Sequence, residues 1–314
     1  MTPSAPRSAP GLPAGPLLIG LALLADLAFS LWVVRQVPHW LPVQASSAAP
    51  HVDALFALES GIGAFLLFGC VGVILWTVLF HRASKYDLEN GAPIEGNLRL
   101  EIVWTLVPLV LVMAIAWHAI QVNQILATLG GKQRVSSGDQ ALQVAGEASA
   151  AARAVGPIQV IARQWSWEFV YPDGVRSAEL HLPLDRQAEL ELISMDVLHG
   201  LFIPAFRLKQ DLIPGSVIQY RLTPTRVGRY RLRDSMFSGG YFSSNQTDVV
   251  VQPEAEFQSW LQQAARQPLQ PSWNPAHELY TRRLERGDRG WATVPPAHPP
   301  LVNVGLDPAA PHDA

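Results

Sequence analysis

Sulfur is nearly missing from this chain. Of 314 residues one is cysteine, Cys70, and four are methionine. A lone thiol excludes a disulfide framework and any site built on a thiol pair. Cys70 lies in an apolar run that continues to Phe80, so Leu67-Phe-Gly-Cys70 reads as buried membrane helix rather than as a lipid-attachment box. Charge is scarce too: 16% of residues are charged and 49% are hydrophobic. With a net charge of −3 and no block of Lys and Arg to neutralise phosphates, nucleic acid is excluded as a partner. Little charge and long apolar runs place the chain among membrane proteins.

Three apolar runs are candidate spans: Leu17 to Val34, interrupted by Asp26, then Ala54 to Phe80, then Ile102 to Val122. At about 1.5 Å per residue the third reaches roughly 30 Å, the thickness of a bilayer core, and the second exceeds it. Arg82, Lys85 and Arg99 lie between the second and third runs and mark that loop as cytoplasmic, which puts everything after Val122 on the outer face. The first run must then carry the chain outward, with Arg7 held inside. Two fates for it stay open. Small residues at Gln44-Ala-Ser-Ser-Ala-Ala49 suit removal of a signal, and Asp26 would cost about 2.5–3.5 kcal/mol in a permanent span. A retained helix with a partner for Asp26 fits as well. Gly61, Gly63, Gly69 and Gly72 in the second run suit close packing against a larger membrane partner. His118, with no second histidine at a useful spacing, reads as a packed residue rather than a haem ligand.

Residues 123–156 read as an Ala/Gly/Ser/Gln-rich linker, with a helix possible over 147–154. Short β-like segments follow: Ile158–Ala162, Trp165–Tyr171, Glu179–Leu182, Glu189–Ile193, Val217–Leu222, Gly228–Leu232 and Thr247–Gln252. Tyr171-Pro-Asp-Gly174 is a turn by its residue types. Such spacing predicts a β-sandwich or barrel of roughly 100 residues. Pro253 to Ala264 then reads as a helix with Phe257, Trp260 and Leu261 on one face. Residues 267–314, rich in proline, read as extended or loose.

Four ordered motifs carry a resemblance. Asn97-Leu-Arg-Leu-Glu-Ile-Val-Trp-Thr-Leu-Val-Pro108, Gln164-Trp-Ser-Trp-Glu-Phe-Val-Tyr171, Asp196-Val-Leu-His-Gly-Leu-Phe-Ile-Pro-Ala-Phe-Arg-Leu-Lys-Gln-Asp-Leu-Ile-Pro-Gly215 and Gly228-Arg-Tyr230 resemble subunit II of the haem-copper respiratory oxidases, over roughly residues 54–262. The resemblance implies a membrane α-helical hairpin (two spans, or three if the N-terminal run is retained) with an all-β cupredoxin-like sandwich. It divides the chain into a signal or extra span (1–50), a hairpin (51–122), a linker (123–156), the outer domain (157–253) and a C-terminal helix and tail (254–314). It places Glu101 at the mouth of a proton path into subunit I, and Trp165 where electrons arrive from cytochrome c in the copper-bearing members.

The same resemblance exposes a loss. In cytochrome c oxidases the next loop reads Cys-Ser-Glu-x-Cys-x-x-x-His-x-x-Met and holds a copper pair. Here it reads Asp234-Ser-Met-Phe-Ser-Gly-Gly-Tyr-Phe-Ser-Ser-Asn245. Asp234 and Ser238 replace the cysteines, Phe242 the histidine and Asn245 the methionine; Met236 replaces a Glu that serves a magnesium site. Bridging thiolates spread one electron over two soft metals, and oxygen and carbon side chains cannot. Only His199 survives, expected as a relic held by hydrogen bonds, with a mononuclear site of His199, Asp234 and Met236 as the remaining metal option. The run Phe237-Ser-Gly-Gly-Tyr-Phe-Ser243 is similar to that of quinol oxidases, and Phe242 is expected to fill the volume left by the metal. Trp165 then reads as a relic aromatic with no metal behind it.

The expected function is therefore subunit II of a terminal oxidase that reduces O2 and moves protons, without cofactors of its own and most readily driven by quinol. Haem and copper belong to subunit I. The implied partners are subunits I and III, membrane lipid, and a quinol or cytochrome donor, at the bacterial inner membrane. Alternatives are a cytochrome c oxidase fed through another carrier, a nitric oxide reductase subunit and a stand-alone tethered binding domain.

Overall fold

The computed structural model describes residues 14–80, 96–129, 134–137, 154–287 and 293–307. Arg7, Arg82, Lys85 and most of the expected linker, including nearly all of the possible helix at 147–154, lie outside the described residues. The chain divides into two compact units, residues 1–41 with 53–120 and residues 42–52 with 121–314.

The first unit is helical. Helices α1 (Ala14–Trp40), α2 (Ala49–Phe80) and α3 (Leu98–Thr128) are each long and apolar enough to cross a membrane. All three exceed the spans read from hydropathy, because helix geometry continues past the last apolar residue into interfacial ones such as Trp40 and His51. Helices α1 and α2 meet through buried Val33, Val37 and Ala57, with Val34 and Ala64 beside them. Gly61 makes this approach possible: a Cβ there would collide with Val34 Cγ2. Phe29 meets Phe68 edge-on at 4.8 Å.

The second unit is a two-sheet sandwich. One sheet contains β1 (Arg134–Ser137), β2 (Val155–Arg163), β3 (Ser166–Val170), β4 (Arg176–Ser177), β6 (Ala188–Ser194) and β9 (Ser216–Leu222), in the order β1-β9-β6-β2-β3-β4. The other contains β5 (Leu180–Pro183), β7 (His199–Ile203), β8 (Leu208–Leu212), β10 (Gly228–Asp234) and β11 (Gln246–Gln252), in the order β5-β11-β10-β7-β8. Alternating inward residues of both sheets, among them Ile158, Val160, Leu190, Leu192, Tyr230 and Leu232, fill the core. The fold class is as the sequence indicated.

Several details differ from the sequence reading. Strands β7 and β8 lie inside the longest motif, where Gly200 and Pro204 hide any two-residue alternation. The expected linker contributes β1, which pairs antiparallel with β9 from Arg134↔Gln219 to Ser137↔Ser216. The described part of the tail, 267–287 and 293–307, carries regular structure. After α4 (Glu254–Ala264) come β12 (Gln270–Pro271), α5 (Pro275–Arg286) and β13 (Leu301–Val302), with β12 and β13 paired. Proline here starts structure: Pro275 opens α5, where no amide donor is needed, behind Asn274, whose Oδ1 accepts from His277 N at 3.1 Å.

The stretch Gln44–Ala49 is also part of the sandwich unit. Ala45 N donates to Ala205 O and Thr225 N to Ala45 O, both at 2.9 Å, and Ser47 N donates to Thr223 O at 3.0 Å. Ala45 and Ala49 are fully buried.

Candidate functional site: the rewired loop

The loop from Ser235 to Asn245 joins β10 to β11. Its neck is closed by Asp234 N donating to Asn245 O at 3.0 Å, and Ser235 N donates to Gly200 O at 2.9 Å. Register places Asp234 opposite Leu201 of β7, so its side chain meets His199 at the start of that strand. The Asp234 carboxylate is the hub. Oδ1 accepts from Gly200 N at 2.8 Å and Met236 N at 3.1 Å. Oδ2 faces His199 Nδ1 at 2.7 Å and accepts from Ser238 Oγ at 2.9 Å and Asn245 Nδ2 at 3.0 Å. Three of the four altered positions and the surviving histidine thus form one network.

His199 is fully buried, and its Nε2 faces Asp196 Oδ1 at 2.8 Å. An imidazole between two carboxylates donates from both nitrogens only when protonated. Burial alone would lower its pKa, but the bonds to Asp196 and Asp234 outweigh this and raise it to about 9. Burial alone would raise the pKa of Asp234, yet His199, Gly200 N, Asn245 and Met236 N hold it below the ordinary value. Asp196 is lowered in the same way, against its own burial, by His199, Val197 N and Gln164 N. Asp196 as the second carboxylate was missed in the sequence; its three-residue offset from His199 at the mouth of a strand was the available signal.

Phe242 departs from expectation. It is half-buried and meets the exposed Phe237 at 5.3 Å. Polar side chains gathered on the Asp234 carboxylate occupy the position instead, with Ser238 Oγ and Asn245 Nδ2 donating to it.

Trp165 is 1% exposed. Its Nε1 donates to Ser238 O at 3.2 Å, and its ring meets Tyr241 edge-on at 5.2 Å. Gly239 allows this contact: it has φ +119, and a Cβ there would lie 2.7 Å from Trp165 Cζ2. The chain's own tail closes the face. Tyr280 of α5 meets Tyr241 at 6.3 Å, Ala297 N donates to Gln164 O at 2.5 Å, and Trp273, Asn274 and Pro300 line a cavity of only about 20 Å³ beside Trp165. Glu101 belongs to the helical unit, in the first turn of α3, which Asn97 caps by accepting from Arg99 N at 3.1 Å and Leu100 N at 3.3 Å.

The residues present do not fit a copper pair. There is no thiolate, both nitrogens of the one imidazole face carboxylates, and Phe242 has no donor. The mononuclear alternative meets the same obstacle at His199. Among the described residues no group of three or more His, Cys, Asp or Glu is placed to hold a metal.

Family comparison places this scaffold. The model of the cytochrome c oxidase subunit II transmembrane domain matches residues 38–122, and that of its periplasmic domain matches 175–252. Cytochrome c oxidase subunit 2 of Thermostichus vulcanus is 31% identical, over 81% of this chain and 92% of the relative.

The chain belongs to the cytochrome c oxidase subunit II family.

Quinol oxidase subunit 2 of Bacillus subtilis is 27% identical, over 66% of this chain and 60% of the relative. The family therefore joins both oxidase types, and its members are subunits of oxidase complexes. The solved periplasmic domain of cytochrome oxidase subunit II from Bradyrhizobium japonicum matches at 22% identity over 35% of this chain and 91% of that chain, with a TM-score of 0.33, and the assignment does not rest on it. This subunit II is membrane-anchored, with three apolar helices and a cupredoxin-like domain. Its match to the family's transmembrane model begins at Pro38, so most of α1 lies outside that match.

Proposed function

We propose that this subunit II serves a terminal oxidase of the bacterial inner membrane as a copper-free, quinol-type subunit. It clamps subunit I, caps its outer face and places Glu101 at the rim of a proton path; oxygen chemistry on haem and copper belongs to subunit I. The observation that carries the reading is the Asp234 hub. A carboxylate with five hydrogen bonds to Gly200, Met236, His199, Ser238 and Asn245 stands where the family holds metal. Trp165 supports it, since the tail seals the face through which an outside donor would approach. A donor delivered from within the bilayer needs neither. The N-terminal helix is part of the mature subunit on this reading, given the backbone bonds that tie Ala45 and Ser47 into the sandwich.

Metal analysis and donor assays on the purified complex test this. About one copper per assembly is expected, in subunit I, with turnover on quinol and none on cytochrome c. About three coppers per assembly, or a purple mixed-valence absorption from this subunit, would reject it.

A further inference from the structure

Asp26 lies near the middle of α1, in the helical unit. Among the described residues both of its carboxyl oxygens are buried and neither has a hydrogen-bond partner. They border a cavity of about 400 Å³ between α1 and α2, walled by Leu18, Leu23, Phe68, Gly72 and Trp76. Gly69 leaves the carboxyl room, since a Cβ there would lie 3.2 Å from Oδ2, and Gly72 opens onto free space. The volume falls within the usual range of small-molecule sites, and apolar walls with one convergent polar group are their usual make-up. An unpaired carboxyl at this depth in hydrocarbon marks function by default.

The chemistry of the walls selects the occupant. Lysine or arginine from a neighbouring helix would bring three or five donors, and beyond Asp26 these walls are hydrocarbon and aromatic rings, so most donors would stay unpaired. An acyl chain brings no donor at all. A flat aromatic body with one or two neutral hydroxyls, arriving sideways through the bilayer, satisfies the carboxyl and covers the rings of Phe68 and Trp76. We propose that the Asp26 groove binds the headgroup of a membrane hydroquinone, with a hydroxyl donating to the Asp26 carboxyl. This rests on the quinol reading above and gives it a place.

The test uses the whole oxidase complex in detergent with lipid. A photoreactive azidoquinone should label fragments spanning α1 or α2, and excess short-chain ubiquinol should compete the label away. Asp26→Leu removes the acceptor, and Gly72→Leu fills the groove while sparing Asp26. Each should weaken labelling and raise the KM for quinol about tenfold, with kcat within about twofold. If Asp26→Leu prevents assembly, Gly72→Leu alone decides. Quinol turnover with labelling confined to other subunits, or a Gly72→Leu complex with unchanged KM, overturns the groove and leaves the quinol reading standing. Turnover on cytochrome c alone removes the quinol reading itself.

Discussion

The two units bury carboxylates in opposite ways. In the outer domain Asp234 is surrounded by donors from β7 and its own loop, and every group it meets comes from the same chain. In the helical unit Asp26 is left with bare oxygens against hydrocarbon walls. Buried polar groups demand partners with equal force in both places. The Asp234 carboxylate is therefore satisfied within its own chain, and the Asp26 carboxylate is left for something else to complete.

The largest effect should come from breaking the satisfied carboxylate. Asp234→Ala strands a buried imidazolium beside Asp196 and leaves four other donors without their acceptor, so the outer domain should lose about 3–5 kcal/mol, read as a lower denaturation midpoint of the full chain in detergent. Asp234→Asn should fall between this variant and wild type.

The pH dependence sharpens the same contrast. His199 is held at about 9 against 6.5 in the free chain. Its contribution is whole below about pH 6.5 and is lost as pH rises through about 9. Asp196 and Asp234 are held below their ordinary value of 3.8. Their contribution is whole above about pH 4 and is lost as acid protonates them. The outer-domain midpoint should be highest between about pH 4 and 6.5 and flatten in His199→Gln. A midpoint indifferent to pH from 6 to 10 would refute the doubly bonded imidazolium.

Smaller again is the tail. Tyr280→Ala removes the ring that meets Tyr241 and should cost about 0.5–1.5 kcal/mol, with faster hydrogen exchange in the loop 235–245. Least of all, Asp26→Asn should leave the outer-domain midpoint within about 0.5 kcal/mol of wild type, since that domain's network includes no group from α1. A large shift there would end the comparison between a carboxylate satisfied by its own chain and one left bare.

Much of this protein follows from its sequence. Apolar length alone marks α2 and α3, because a bilayer admits few alternatives to a long helix. The ordered motifs from Asn97 to Tyr230 indicate the sandwich, and four replacements in one loop remove the copper donors, since ligand chemistry belongs to residue types and not to their positions. What the sequence could not give was pairing. That Asp196 and Asp234 close on His199 from two sides, that Arg134–Ser137 adds a strand to β9, that a proline-rich tail seals Trp165 and that Gln44–Ala49 is woven into the outer domain all depend on contacts between residues far apart in the chain. Composition is blind to such contacts, because a hydrogen bond or a sealed face is decided by which distant groups the fold brings within reach.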